Sequence, residues 1–238
     1  MHYFFQGLSL LNTKGLRRYV LIPLGINLVL FAGAFFYLIQ QVQGWVNHLM
    51  GFVPEWLSFL EYVLWPVLVL SVVLSMAFTF TMIANFIAAP FNALLSEKIE
   101  LHLTGQALPE QGVAAFLKDV PRMLGREWTK FVYCLPRALI FLLGFFLLPL
   151  VGQLLWFLFT SWMMAIQYCD YPYDNHKVPF HTMRQQLRGD LTGTYSFGMT
   201  VAIGSMVPFL NLLVMPIAVC GATAMWVDRH KSAHYPNR

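Results

Sequence analysis

Residues 19–54, YVLIPLGINLVLFAGAFFYLIQQVQGWVNHLMGFVP, run for 36 positions without a single Asp, Glu, Lys or Arg. A soluble domain cannot use such a stretch, because its surface must return to water every turn or two. A bilayer can, since about 20 apolar residues coiled into a helix cross roughly 30 Å of hydrocarbon. Three more stretches share the property: 62–96, 138–169 and 191–227. Only 11% of the 238 residues are charged, and the four runs confine all of them to the intervening segments. The chain reads as an all-α integral membrane protein.

Several classes fall away. The first run is too long for a secretory signal and lacks a small-residue cleavage site. The runs are continuous rather than alternating with period two, which excludes an outer-membrane barrel. Cys134, Cys169 and Cys220 are too scattered for a disulfide framework or a paired-cysteine metal site, and read as small buried residues. No GxxxxGK[ST] occurs, so this chain is not expected to use ATP itself.

Residues 1–13 form an amphipathic lead-in, carrying Tyr3, Phe4, Phe5, Leu8, Leu10 and Leu11, that suits the interface plane. Residues 19–39 supply one span, and Gln40, Gln41, Gln43, Trp45 and Asn47 mark the far interface. Residues 62–96 supply a second, in which Pro90 is expected to kink or interrupt the helix because it has no N–H. Residues 97–137 form an amphipathic segment on the cytoplasmic side, with a helix from about Pro109. There Lys118, Arg122, Arg126 and Lys130 recur at intervals of four, a basic face suited to the membrane surface or an aqueous vestibule.

The last two runs are interrupted, 138–169 by Pro149 and Gly152, 191–227 by Pro208, Asn211 and Pro216. The arm before Pro149 is only about 16 Å long, roughly half the hydrocarbon. Each run therefore reads as a re-entrant helical hairpin, the first penetrating part way and the second nearly crossing. Broken backbone at depth must be covered by protein or face water, which argues for an oligomer or a pore lining. Residues 1–238 then make one membrane domain of two long spans and two hairpins. Lys14, Arg17 and Arg18 precede the first span, whereas the connection to the second holds only Glu55 and Glu61. The remaining basic residues lie in 97–137, 170–190 and the tail, so one face collects the positive charge and should be cytoplasmic. Six full crossings give the same assignment; arm length favours the hairpins.

Two groups of residues suit anion chemistry. Gly15-Leu16-Arg17-Arg18 stands at the expected start of the first membrane helix, where free amides and the helix dipole favour an anion. Arg adds a planar donor fork matching a tetrahedral oxyanion, and Gly15 lets the backbone come close. The same residues also fit a positive-inside anchor on lipid phosphates. Glu97, Lys98 and Glu100 follow the second span, while Arg126, Glu127, Lys130 and Arg137 crowd the mouth of the first hairpin. Interleaved acids and bases there fit either solvated interfacial charge or a water-filled path that releases a dianion instead of holding it. Asp170, Asp174, His176 and His181 fall in a turn-rich loop and match no zinc spacing, so no metal site and no cofactor is expected. His230 and His234 belong to a tail.

From about residue 3 to about 230 the chain resembles the bacterial inner-membrane sulfate transporters of the CysZ family. The resemblance is carried by Gly15-Leu16-Arg17-Arg18, by Asn85-Phe86-Ile87-Ala88-Ala89-Pro90-Phe91-Asn92 leading into Ser96-Glu97-Lys98, by Arg126-Glu127-Trp128-Thr129-Lys130, and by Tyr168-Cys169-Asp170-Tyr171-Pro172. It implies sulfate uptake across the inner membrane, supplying assimilatory sulfate reduction and cysteine biosynthesis, and a non-enzymatic protein. It implies two long membrane helices, two hemi-penetrating hairpins and a homo-oligomer. Sulfate binding is implied for Gly15, Leu16, Arg17 and Arg18, and a translocation path for Glu97 and its neighbours. The expected partners are sulfate, sulfite, membrane lipid and further copies of the chain, with no nucleic acid. A proton-coupled carrier of related oxyanions is the nearest alternative. A membrane enzyme built on 170–181 and a scaffold recruiting partners through the basic helix are the rivals from other classes.

Overall fold

The computed structural model describes residues 2–13, 15–51, 61–106 and 113–231. Lys14, Glu55, the Pro109–Gly112 break and His234 lie outside the described residues. Eight α-helices follow in order: α1 (His2–Leu11), α2 (Arg18–Met50), α3 (Glu61–Thr104), α4 (Val113–Leu147), α5 (Val151–Asn175), α6 (Phe180–Gly189), α7 (Leu191–Ser205) and α8 (Pro208–Met225). A π-helical turn, Trp226–His230, follows α8, and no strand occurs among the described residues.

The chain divides into two compact units, Leu21–Ala88 and Met1–Val20 with Ala89–Arg238. In the first, α2 packs on α3 with Phe31 edge-to-face on Phe80 at 4.8 Å. Its outward side chains are apolar too, Leu28, Val29, Phe36, Leu70 and Leu74 among them being exposed. A helix pair apolar on all sides belongs in lipid.

Among the described residues, two helical stretches are long and apolar enough to cross a membrane, Leu21–Gln41 and Lys118–Leu147. The first coincides with the expected span 19–39. The second lies in α4, and within 62–96 the described residues Trp65–Met76 form a further apolar helical stretch. From Tyr62 to Ser96 α3 carries no Asp, Glu, Lys or Arg. Nor does Pro90 break the helix: α3 continues through it to Thr104.

In the second unit α4 and α5 form a long antiparallel pair. Its rungs are Phe141 stacked on Phe159 at 4.7 Å, Trp162 Nε1 donating to Tyr133 OH at 3.4 Å, and Arg126 facing Asp170. The turn falls at 148–150, as Pro149 foretells, through Leu150 at φ 65°. The arm before it is not an isolated 11 residues, because α4 runs unbroken from the basic segment to Leu147. In α7–α8 only Pro208 punctuates, at the first turn of α8 where its missing N–H costs nothing; Asn211 and Pro216 lie inside that helix.

The lead-in α1 docks on α8 and buries Tyr3, Phe4, Gly7 and Leu10, so its apolar face meets protein; Phe5 and Leu8 remain exposed. The core gathers Leu95, Ile99, Ile166, Met183, Leu187, Phe197 and Ile217 around Tyr173 and Trp226, whose rings meet at 4.3 Å. α5 and α7 touch closely at Gly198, where a Cβ would stand 2.0 Å from the Ser161 carbonyl oxygen. Gly198→Val is expected to lower the thermal midpoint in detergent, at an overpacking cost of about 1–3 kcal/mol. Gly125→Ala, with open space around it, should leave the midpoint unchanged or raise it slightly.

Candidate functional site

Chain direction at the start of α2 is set by Gly15, whose φ of 93° a side-chain-bearing residue rarely adopts. Nothing lies within 4 Å of where its Cβ would be, so the turn, and not crowding, requires glycine. That turn leads into the helix at Arg18 and shapes a pocket of about 280 Å³, lined by Thr13, Gly15, Leu16, Arg18, Tyr19, Lys98 and His102. Three of the four motif residues thus meet Lys98, which follows the second apolar run. Arg17 turns to Asn12 Oδ1 instead. The Leu16 N–H is engaged with the Thr13 carbonyl at 3.3 Å, and Arg18 leans on Tyr19, its guanidinium 4.9 Å from the ring centroid. Glu97 stands beside the pocket, half-exposed, with Lys98 Nζ at 3.4 Å.

Arg126, Glu127 and Lys130 occupy a different place, the interface of α4 with α5. Arg126 grips Asp170 with both Nε (2.9 Å) and Nη2 (2.7 Å). Lys130 Nζ lies 2.6 Å from Glu127 and 3.5 Å from Asp170. One turn further from the tip Arg122 pairs with Asp174. Glu127, Lys130 and Asp170 are all buried. Burial pushes the Asp174 carboxyl up, and Asp170 adds to this, against the pull of Arg122 and Arg126. Three bases face three acids, so the ladder is neutral in sum.

Three of the four basic residues of that face of α4, Arg122, Arg126 and Lys130, are therefore turned to acids while Lys118 is exposed, and Trp128, Val132 and Leu139 face out. The acids that hold it, Asp170 and Asp174, are on α5, not in a loop, because the helix continues through Pro172. Their spacing of four matches that of Arg122 and Arg126, a signal present in the sequence but masked by the turn-forming look of Tyr-Pro-Tyr. A further pocket of about 310 Å³ lies along the ladder, lined by Arg122, Arg126, Thr129, Asp174 and Lys177.

Glu100 and Arg137 join neither group. Glu100 is buried, with His176 Nε2 at 2.8 Å and Lys231 Nζ at 3.0 Å. Glu97 and Glu100, one turn apart, thus have different surroundings. Arg137 is exposed, donating to the Tyr133 carbonyl at 2.6 Å and lying over that ring at 3.8 Å. Among the described residues no three His, Cys, Asp or Glu converge to hold a metal. His181 is exposed, and Asp170 and Asp174 are committed to arginines.

Long apolar helices with bare outer faces, a basic pocket at a helix start and an internally neutralised charge ladder define a helical membrane protein. The chain belongs to the family described as sulfate transporter CysZ/etoposide-induced protein 2.4, which matches residues 3–216. It is 52% identical over 236 residues to a sulfate transporter CysZ of Pectobacterium atrosepticum, covering 98% of this chain and 86% of the relative. It is 50% identical over 238 residues to the protein of that name in Salmonella typhimurium, covering 98% and 94%.

Burial opposes ionisation of Glu100, but His176 and Lys231 outweigh it and hold the carboxyl below its ordinary value of 4.5. A carboxylate depressed in the fold contributes stability above its unfolded value and loses it as pH falls through the folded one. The thermal midpoint should accordingly drop on acidification below about pH 4.5, and Glu100→Gln should flatten that part of the profile. An unaltered profile would place the acid sensitivity elsewhere.

Proposed function

We propose that the chain carries sulfate into the cytoplasm across the bacterial inner membrane, supplying assimilatory sulfate reduction and cysteine biosynthesis. The observation that carries this reading is the pocket joining Gly15, Leu16 and Arg18 to Lys98, in a chain half identical to proteins named as sulfate transporters. Arg18 and Lys98 offer two cations to a dianion, and Arg17 is exposed one residue away. With the Leu16 amide engaged in the turn, side chains do most of the capture. Sulfite presents similar acceptors and would be taken too.

In this reading Glu97, Glu100, Arg126, Glu127, Lys130 and Arg137 border the path. Interleaved acids keep any one basic station from holding the dianion too firmly. The chain is multi-pass with its basic segments cytoplasmic; 62–96 serves with 19–39 as a long span. The hairpins α4–α5 and α7–α8 are re-entrant, and the whole chain acts as one membrane domain in a homo-oligomer that covers their turns. No enzymatic step is involved.

Charge-assisted bonds contribute about 1.5–3 kcal/mol each. Replacing Arg17 and Arg18 by Ala, or Lys98 by Ala, should weaken equilibrium binding of radiolabelled sulfate about tenfold or more. Helical circular dichroism and a single size-exclusion peak would show that the variants fold. Unchanged affinity in folded variants contradicts the assignment.

A further inference from the structure

Among the described residues neither Arg137 nor Arg184 pairs with a carboxylate. They converge on one ring. The Arg137 guanidinium lies 3.8 Å and that of Arg184 4.6 Å from the Tyr133 centroid. Phe180 meets Tyr133 edge-on at 5.6 Å and sits 5.0 Å from the Arg184 guanidinium, closing the other side. Arg184 Nε is buried without a hydrogen-bond partner. Aromatic rings hold the two cations side by side, an arrangement that leaves donors free for an external anion.

The surroundings say which anion. Arg137 is the last charge before the apolar arm of α4. Toward the tip Ile140 and Leu147, seven residues apart on the stripe beside that of Arg137, are both exposed, and Leu139, Leu143 and Phe146 are bare on the next stripe. Ten residues from Arg137 to Leu147 rise about 15 Å, the depth of one leaflet of a hydrocarbon core about 30 Å thick. A free oxyanion would use the cations and leave this apolar strip idle; a phospholipid uses both.

We propose that Arg137, Arg184 and Tyr133 form a headgroup site for an anionic phospholipid, whose phosphate takes the two guanidinium groups while its acyl chains run along Ile140 and Leu147. The inference rests on the proposed seating of the α4–α5 hairpin in the bilayer. It is separate from the sulfate pocket at Gly15–Arg18, uses none of the ladder acids, and moves Arg137 from the border of the sulfate path to the lipid face, leaving the path to the other five residues.

The test is native mass spectrometry of the full chain from detergent micelles doped with phosphatidylglycerol or with phosphatidylcholine, with inorganic phosphate and sulfate as further arms. Wild type should retain phosphatidylglycerol in preference to phosphatidylcholine. Each guanidinium lost should cut that retention about five-fold, in Arg137→Gln and again in Arg137→Gln/Arg184→Gln, while phosphatidylcholine stays constant. Arg137 is exposed and contacts only its own turn, so the single variant keeps the test open if the double variant does not fold. Equal phosphatidylglycerol retention in wild type and Arg137→Gln overturns the proposal. So does competition by inorganic phosphate or sulfate at equal concentration, which would make the site one for free oxyanions. If neither lipid is retained by folded wild type, the bilayer seating of the hairpin fails, and the headgroup site fails with it.

Discussion

The contact on which most of the second unit depends is Arg126 against Asp170, with Lys130 and Glu127 beside it, in the buried seam between α4 and α5. Taking ions out of water costs several kcal/mol each, recovered only where geometry is good and every partner present. The two-pronged guanidinium grip on Asp170 meets that condition. Once these charges have satisfied one another inward, the outer surface of α4 is free to be apolar, and Trp128, Val132, Leu139 and Phe146 are exposed there. An amphipathic helix normally shows its charges to solvent; here the solvent is lipid, and the amphipathic logic inverts. Removing one member of such a pair leaves a buried charge alone, a loss of about 3–5 kcal/mol.

Much of this was legible in the sequence. Charge-free runs announce a helical membrane protein, and Pro149 and Pro208 mark the two hairpin turns where they occur. Gly15 through Arg18 draw attention to the start of the first long helix, where Gly15, Leu16 and Arg18 line one pocket with Lys98. Other features were hidden for identifiable reasons. Pro90, Pro172 and Pro216 look like breaks, yet each sits inside a helix, where tertiary contacts override the missing hydrogen bond. Reading Pro172 as a turn detached Asp170 and Asp174 from their helix and obscured their match to Arg126 and Arg122. Spacing alone also cannot tell a basic face turned to water from one turned to buried acids. Glu97 and Glu100 show the same limit: one turn apart, one is half-exposed and the other tied to His176 and Lys231.

In the proposed mechanism the two charged regions divide the work. The pocket at the start of α2 is open and modestly basic, suited to taking a hydrated dianion without holding it. The ladder is neutral in sum, so it offers a passing anion alternating partners rather than a deep well. A path of this kind needs no nucleotide. It would run on the sulfate gradient alone, or on a proton gradient if one of the buried carboxylates changes protonation during transit.

Sulfate flux into liposomes containing only this purified protein tests that account most directly, measured with radiolabelled sulfate, with and without an imposed pH gradient. The account predicts saturable flux down a sulfate gradient that falls in the Arg17→Ala/Arg18→Ala protein. Dependence on the pH gradient would identify a coupled carrier. Folded, reconstituted protein that passes no sulfate under either condition would contradict it.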